Sequence, residues 1–389
     1  MSRLLSLDAE FCRQLALVLF HVTWSGTLLA GAAALVARQA SPRAPAVKYW
    51  IHFGALLGIL LLAPFWGMRV RSLSPVDRQS SPVVTAVDLP ALCEPATLSE
   101  PVALGIGASL PAATETAADG IFSPPQTTAA APPPANRFNW HELALRVVTL
   151  CYLSGAMCML LRLLAALGGG ERLRLAGTPV RDVALIDLLA EQSRRLGLRA
   201  VPLLRICERT AVPVVVGALR PAILIPATMI TGLDPGQLAG VLMHELAHIR
   251  RYDHLFLLLQ RFIEAVLFFH PAVWYLSRCV HADREDCCDD LVLAGGGDPL
   301  EYAGALVRVA ELRLRPTRVV RPAGALAADG HRPSDLRRRI ARVLGVEPQP
   351  VVRLPKAGLL ALLLPAVAGT AVACAQLAAA PQSGSPRSG

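Results

Sequence analysis

The sequence predicts an α-helical, polytopic membrane protein with four spans and a cytoplasmic α+β domain inserted before the last span. Three observations lead to this prediction: the composition, four apolar stretches of similar length, and an arginine-rich segment in which helix and strand patterns alternate. Of the 389 residues, 53% are hydrophobic, and the mean hydropathy is +0.46. Because ordinary soluble enzymes are less apolar, the composition favours a membrane protein.

The four apolar stretches each have about the length that crosses the hydrocarbon core of a bilayer. They cover residues 11–37, 49–67, 143–167 and 357–375. The first also resembles a signal peptide in length, but it lacks a clear small-residue cleavage site and is preceded by acidic residues, so we expect a retained span. The predicted organisation is two transmembrane helices (1–67), a flexible Pro/Ala-rich extracytoplasmic loop (68–139), a third transmembrane helix (140–167), the cytoplasmic domain (168–353), a fourth transmembrane helix (354–376) and a short extracytoplasmic tail (377–389).

The distribution of basic residues sets the predicted orientation. The connection between the first two spans holds Arg38, Arg43 and Lys48 and no acid, whereas residues 68–137 hold more acids than arginines. Because cytoplasmic loops are enriched in Lys and Arg, this connection and the arginine-rich segment 168–356 are placed in the cytoplasm. The formal net charge of +9 then lies next to the anionic lipids of the bilayer. No nucleic-acid recognition motif accompanies it, so we expect no direct nucleic-acid binding.

The most informative motif is His-Glu-Leu-Ala-His, which places His244 and His248 four residues apart with Glu245 between them. On a helix, residues i and i+4 share a face, so both imidazoles can bind one zinc ion. Glu245 would then lie beside the ion, where it can accept a proton from water. Apolar neighbours suit a buried helix, and Asp234 is its predicted N-cap. The alternative is a pair of hydrogen-bonded core histidines.

A zinc site of this kind needs a third protein ligand, and residues 281–290 supply a candidate. Glu285 would complete a two-histidine, one-carboxylate site with an open fourth position. Asp289, on the same helical face, would accept a hydrogen bond from the second ring nitrogen of a ligand histidine. The alternative is a solvated acidic helix end. Weaker candidate ligands are His254, His270, His281, Cys287 and Cys288. We interpret the two cysteines as structural.

The arginine-rich segment also contains the strand patterns. A helix is predicted for residues 182–197, followed by strands at 202–207, 212–216 and 222–225. The strand just before the His-Glu-Leu-Ala-His helix could hold an extended substrate by strand addition, or it could be plain core sheet.

Two further helical regions are predicted around the second candidate ligand helix. Residues 255–274 are nearly long enough to cross a bilayer, yet Arg261 and Glu264 lie in the middle as a potential ion pair. We therefore expect a helix that dips into the membrane or lies against it. Residues 302–343 are interpreted as helical, with 335–340 as a solvated face.

Five motifs, taken in order, resemble those of one family. They are Pro-Val-Val-Val-Gly at 213–217, Arg-Pro-Ala-Ile-Leu-Ile-Pro at 220–226, His-Glu-Leu-Ala-His-Ile-Arg-Arg at 244–251 followed by Asp253, Phe-His-Pro-Ala-Val-Trp at 269–274, and Arg-Glu-Asp-Cys-Cys-Asp-Asp at 284–290. Together they are similar to the membrane metallopeptidases of the BlaR/MecR antirepressor type, over about residues 140–375. The resemblance implies a zincin-like cytoplasmic domain of the gluzincin type. The implied roles are Zn²⁺ binding by His244, His248 and Glu285, base catalysis by Glu245, and support of the ligands by Asp253 and Asp289.

The resemblance also implies a function in the bacterial plasma membrane. Family members cleave cytosolic repressors and often themselves. We therefore expect a cytosolic protein substrate, with a winged-helix repressor as the suggested case, and self-cleavage around residues 313–322. Sensor members also carry a penicillin-binding domain acylated at Ser-x-x-Lys. The lysines of this chain are Lys48 and Lys356, neither with Ser three positions before it, so we expect no β-lactam sensing of that kind. The alternatives are a quality-control or processing metalloprotease and a catalytically idle signalling scaffold.

Overall fold

The computed structural model describes residues 8–41, 44–73, 140–217, 220–314 and 333–346. The helices in these ranges are α1 (Ala9–Gln39), α2 (Pro45–Leu73), α3 (Trp140–Ala176), α4 (Val183–Arg195), α5 (Ala227–Gly232), α6 (Pro235–Arg250), α7 (Asp253–Val266), α8 (Pro271–Ala294), α9 (Pro299–Leu314) and α10 (Pro333–Val343). The strands are β1 (Thr178–Pro179), β2 (Leu203–Ile206), β3 (Val214–Val216) and β4 (Ala222–Ile225). The predicted fourth span, the tail and most of the predicted extracytoplasmic loop lie outside the described residues.

Three helices of the described ranges are long and apolar enough to cross a membrane, and they coincide with the first three predicted spans: α1, the Pro45–Val70 part of α2, and α3. Helices α1 and α2 pack closely, and a side chain at Gly58 would meet Leu29 at 2.8 Å. Helix α3 is exposed along most of its length. It contacts the rest of the protein at Gly155, which lies against the ring of Phe268.

The four described strands form one sheet in the order β1-β2-β4-β3. Strand β4 is parallel to β2 and antiparallel to β3, and its four residues are fully buried. Because both edges of β4 are already paired, it cannot accept an added peptide strand. The interpretation of residues 222–225 as the substrate-binding strand is therefore wrong. Strands β1 and β3 lie at the two edges of this described sheet.

Helix α6 carries the His-Glu-Leu-Ala-His motif and is initiated as predicted. Asp234 is its N-cap, Pro235 occupies the first turn, and the N–H of Asp234 donates to Gln237 Oε1 at 3.4 Å. The helix ends at Arg250, and Tyr252 adopts a left-handed conformation with φ of 58°. This one residue with a positive φ separates α6 from α7 and changes the direction of the chain, so that the start of α7 lies close to the histidines of α6.

Residues 255–274 do not form the single helix that the sequence predicts. Helix α7 ends at Val266, and α8 begins at Pro271 with the side chain of His270 accepting a hydrogen bond from the N–H of Ala272 at 3.1 Å. A proline at the first helical position favours a new helix start over continuation of the previous helix. The predicted ion pair is confirmed, with Arg261 Nη1 donating to Glu264 Oε2 at 2.8 Å.

Helix α8 belongs to two hydrophobic clusters. Near its beginning, Val273 and Leu276 are buried in a cluster with Val22 of α1 and Ile59 of α2. Near its end, Cys288 and Val292 belong to the core that also contains α4, the sheet, α6 and α9. The helix thus joins the membrane-type helices to the domain that contains the sheet.

Within residues 302–343, the structure describes helices α9 and α10, and the part of the chain between them lies outside the described residues. The prediction that 335–340 is a solvated face is wrong for two of its arginines. Arg338 and Arg339 are only 8% and 4% exposed. Arg338 Nη1 donates to Asp286 Oδ1 at 2.6 Å, and Arg339 binds Asp289. Acidic side chains on α8 compensate the buried charge, which allows α10 to pack against that helix.

Candidate metal centre

The structure brings His244, His248 and Glu285 together. Their donor atoms all lie within 4.8 Å of one another. Nε2 of His244 is 3.4 Å from Glu285 Oε2, and Nε2 of His248 is 3.8 Å from Glu285 Oε1. Three ligand atoms at about 2.0–2.1 Å from one tetrahedral zinc lie roughly 3.4 Å apart. The separations of 3.4 and 3.8 Å between Glu285 and the two histidines are compatible with binding of one metal ion.

Two helices supply the three donors. The four-residue spacing on α6 brings the rings of His244 and His248 to a centroid separation of 4.8 Å, with an interplanar angle of 83°. Glu285 comes from α8, which packs alongside α6 in the same core. All three side chains are largely buried, so a bound ion would be held away from bulk water.

Tyr302 and Asp289 fix the orientation of the His244 ring. The Tyr302 hydroxyl donates to Asp289 Oδ1 at 2.6 Å. Its oxygen lies 2.9 Å from Nδ1 of His244, and Asp289 Oδ1 lies 3.2 Å from the same nitrogen. The Nδ1 proton is therefore directed at these two oxygens, and the other ring nitrogen faces Glu285.

Burial alone would lower the pKa of His244. Hydrogen bonds to Asp289 and Glu285 outweigh that effect and raise the pKa to about 9. The position of Nε2 therefore favours positive charge. A metal cation that binds there replaces the proton.

Asp253 plays the corresponding part for His248. Its Oδ2 lies 2.8 Å from Nδ1 of His248, and Arg251 Nε donates to the same carboxylate at 3.3 Å. Burial opposes ionisation of Asp253, but the hydrogen bond and charge of His248 and the charge of Arg251 lower its pKa overall. The thiol of Cys288 is 3.2 Å from the same ring nitrogen. Nε2 of His248 is thereby left to face the ligand cluster.

The guanidinium of Arg339 lies at the edge of the group formed by His244, His248 and Glu285. Sequence patterns did not indicate this residue. Its Nε and Nη2 donate to Asp289 at 2.8 and 2.7 Å, while Nη1 lies 3.3 Å from Glu285 Oε2. Burial would raise the pKa of Glu285, but the hydrogen bond of His244 and the nearby charges of His248 and Arg339 hold it well below its usual range. Glu285 is therefore an ionised, ligand-ready carboxylate.

Glu245 lies on the wall of a cavity of about 150 Å³ that opens beside the three donors. Edge strand β3 lines one side of this cavity, and Leu306 and Val309 of α9 form an apolar part of its wall. His281 also lines the cavity, and Arg284 Nη2 donates to its Nδ1 at 2.6 Å. Because an arginine can only donate, the neutral His281 ring carries its proton on Nε2.

The remaining candidates lie in different places. His254 lines the cavity, and His281 Nδ1 is 3.9 Å from Glu285 Oε1. His270 is fully buried against α1, with Nε2 at 3.3 Å from the carbonyl oxygen of Val22. Cys287 packs with Tyr49 of α2 instead of facing the donors. Sequence reasoning missed Tyr302 and Arg339, because neither has a spacing relation to the two ligand helices.

The described residues thus combine membrane-type helices with a largely buried group of two histidines and one carboxylate that could hold a metal ion. Residues 89–343 match the family described as BlaR1 peptidase M56. The match covers more than half of the chain, and the chain belongs to this peptidase family.

Individual relatives are more distant. The chain is 28% identical to "Regulatory protein BlaR1" of Bacillus licheniformis over 162 residues, which is 41% of this chain and 26% of the relative. It is 26% identical to "Methicillin resistance mecR1 protein" of Staphylococcus aureus and of Staphylococcus epidermidis over 81 residues, 21% of this chain and 14% of each relative. The aligned part thus spans about a quarter or less of these proteins.

Proposed function

We propose that this protein is a membrane-embedded zinc metalloendopeptidase that hydrolyses peptide bonds of a cytosolic protein. The observation that carries the proposal is the orientation of His244 and His248. Each has one ring nitrogen held by a carboxylate on the far side, so the other nitrogen is directed towards Glu285. A two-histidine, one-carboxylate set with a cavity beside it is typical of catalytic zinc sites. In that reading the domain is zincin-like, of the gluzincin type.

The residues around the cavity support the following steps of hydrolysis. A bound zinc supplies Lewis acidity for the scissile carbonyl and for water. The carboxylate of Glu245 accepts the proton of the attacking water and returns it to the leaving amine nitrogen. His281, whose ring is oriented by Arg284, would donate a hydrogen bond from Nε2–H to the carbonyl oxygen as negative charge develops there.

Strand β3 supports an extended peptide as the substrate. It lies at the edge of the described sheet, and Val214 and Val215 line the cavity beside Glu245. A peptide that pairs with this edge would pass its backbone along the donor cluster, with main-chain hydrogen bonds supplying affinity. The side chains of Leu306 and Val309 then provide an apolar surface for one substrate side chain.

We propose a regulatory substrate in the cytosol, with a winged-helix repressor as the specific case. The family match and the printed name "Regulatory protein BlaR1" of one relative support this proposal. It requires four spans in the bacterial plasma membrane, with the domain that follows α3 on the cytoplasmic side. Self-cleavage around residues 313–322 belongs to the same proposal.

The decisive experiment uses the full-length protein in detergent, loaded with zinc, and compares Glu245→Gln with the unsubstituted chain. We expect the variant to retain stoichiometric zinc and to lose peptide cleavage by about 10²–10⁴-fold, because the proton acceptor is gone. Glu311→Gln on the exposed side of α9 is the matched control and should cleave normally. A Glu245→Gln variant that still cleaves would contradict the assignment. A protein without stoichiometric zinc would favour the idle scaffold.

A further inference from the structure

One face of α2 contacts residues that lie next to two of the three candidate metal ligands, His248 on α6 and Glu285 on α8. His52 lies on this face, and its Nδ1 is 2.7 Å from Oδ2 of Asp283 on α8. Their side chains are 8% and 5% exposed. Asp283 precedes Glu285 by two residues on the same helix, so this hydrogen bond fixes α8 within one turn of the carboxylate ligand. Burying polar side chains is costly unless they are hydrogen-bonded, and these two are bonded to each other across the contact between α2 and α8.

The second contact leads to His248. The guanidinium of Arg251 lies over the ring of Tyr49, 5.1 Å from its centroid. Arg251 Nε donates to Asp253 at 3.3 Å, and Asp253 binds Nδ1 of His248. The Tyr49 ring thus holds the guanidinium of Arg251 in place. Arg251 in turn orients the carboxylate of Asp253, which binds His248.

The same face of α2 packs tightly against α7 and α8. Tyr49 and Phe53 form a buried cluster with Val280 and Cys287 of α8, and Phe256 of α7 packs against it. The opposite face carries Val47, which is 51% exposed. The spacing of Tyr49, His52 and Phe53 is that of one helical face. The contacts of Tyr49 with Arg251 and of His52 with Asp283 therefore lie on one face of α2.

We propose that Tyr49 and His52 of membrane helix α2 are positioning residues for the metal site. They set the placement of His248 and Glu285 through Arg251–Asp253 and through Asp283, respectively. A displacement of α2 then alters both ligand-bearing elements together. The inference rests on the proposed zinc site, but it concerns how that site is held and not which reaction it performs.

The test measures zinc affinity of the full-length protein in detergent by competition with a chromophoric chelator. It also records the visible absorption spectrum of the cobalt-substituted protein. We expect His52→Leu to weaken zinc binding by about 10–100-fold, as is usual when support behind a ligand is removed, and to change the cobalt spectrum. His52→Asn keeps an N–H near the position of Nδ1 and should recover most of the affinity. Val47→Ala on the exposed face is the control and should leave both readouts unchanged.

Tyr49 gives an independent pair of variants that decides the matter if His52→Leu does not fold. Tyr49→Phe keeps the ring under Arg251 and loses only a hydroxyl that finds no hydrogen-bond partner in the described part of the chain. Zinc affinity should therefore stay within about 3-fold of the original, well short of the loss for a missing supporting group. Tyr49→Leu removes the ring and should weaken zinc binding by about 10-fold. The proposal is overturned if a folded leucine variant at either position keeps the original zinc affinity and cobalt spectrum. An unsubstituted protein that binds no zinc would instead overturn the proposed function.

Discussion

The two halves of the metal centre are held in different ways. On α6, His244 and His248 are placed by their four-residue spacing, and His248 is supported by Asp253, five residues further along the chain. On α8, Glu285 is placed by groups remote in sequence: Arg339 lies about fifty residues away, and His52 precedes the helix by more than two hundred. The spacing of the two histidines on α6 is thus encoded locally, although Tyr302 and Asp289 also orient the ring of His244. The contacts of α8 with Arg339 and His52 require that α10 and α2 pack against it.

The largest effect is expected where the two halves meet, at the ligands themselves. Replacing Glu285 by Gln removes the anionic donor, and replacing His248 by Gln removes a ring nitrogen. Each change should weaken zinc binding by more than the ~10–100-fold that loss of a supporting residue costs, and should abolish cleavage. Metal content after dialysis is the measurement. If only one of the two variants lost zinc, the site would not be shared between the helices.

Arg339 tests how strongly the α8 half depends on docking of α10. Arg339→Ala leaves the buried carboxylates of Asp289 and Glu285 without their guanidinium. We expect a loss of about 3–5 kcal/mol of stability, as for removal of one partner from a buried pair. Thermal unfolding of the metal-free protein measures the effect. Arg337→Ala, exposed on the same helix, is the control, and an equal loss in both variants would argue against the buried network.

Asp253 tests the locally encoded half. Asp253→Asn keeps the size of the side chain but no longer presents a carboxylate to Nδ1 of His248 and to Arg251. We expect zinc affinity to fall by about 10-fold, at the lower end of the range for supporting residues, with less thermal destabilisation than for Arg339→Ala. Chelator competition and thermal unfolding on the same sample give both values. A variant that loses fold rather than affinity would show that this half also depends on tertiary packing.

Arg342 should give the smallest effect. It donates to Asp290 at 2.6 Å, as Arg338 does to Asp286, but the side chain of Asp290 is 41% exposed. Solvent screens such a pair, so Arg342→Ala should cost no more than about 1 kcal/mol of stability. Thermal unfolding beside Arg339→Ala checks this order. Equal destabilisation by the two variants would mean that burial does not set the strength of the α8–α10 contacts.

The sequence predicted best the features that depend on near neighbours. The N-cap Asp234, the pair Arg261–Glu264 and the three longer strands all follow from local spacing and turn chemistry, and the structure contains them. Helix α4 has its predicted bounds within two residues, with Asp182 as N-cap and Gly197 in a left-handed conformation at its end.

Features that depend on docking could not be predicted from one chain. In α4, the apolar side chains of Val183 and Ile186 are 67% and 41% exposed, because the core contacts this helix at Leu185 and Leu189. The edge position of β3 was missed, because the order of strands in a sheet need not follow the order in the chain. The role of Arg339 was missed because the sequence of a charged helix does not indicate which acidic side chains its arginines contact in the folded protein.

Because α8 contributes to two hydrophobic cores, the protein should unfold as one cooperative unit. Val273 and Leu276 pack in one cluster with residues of α1 and α2, while Cys288 and Val292 pack in the core around α6. In a separate fragment that contains only the domain after α3, Val273 and Leu276 would lose their contacts with α1 and α2. An apolar patch would then be exposed to water. Preparations intended for crystallisation or inhibitor screening therefore need the first two helices retained.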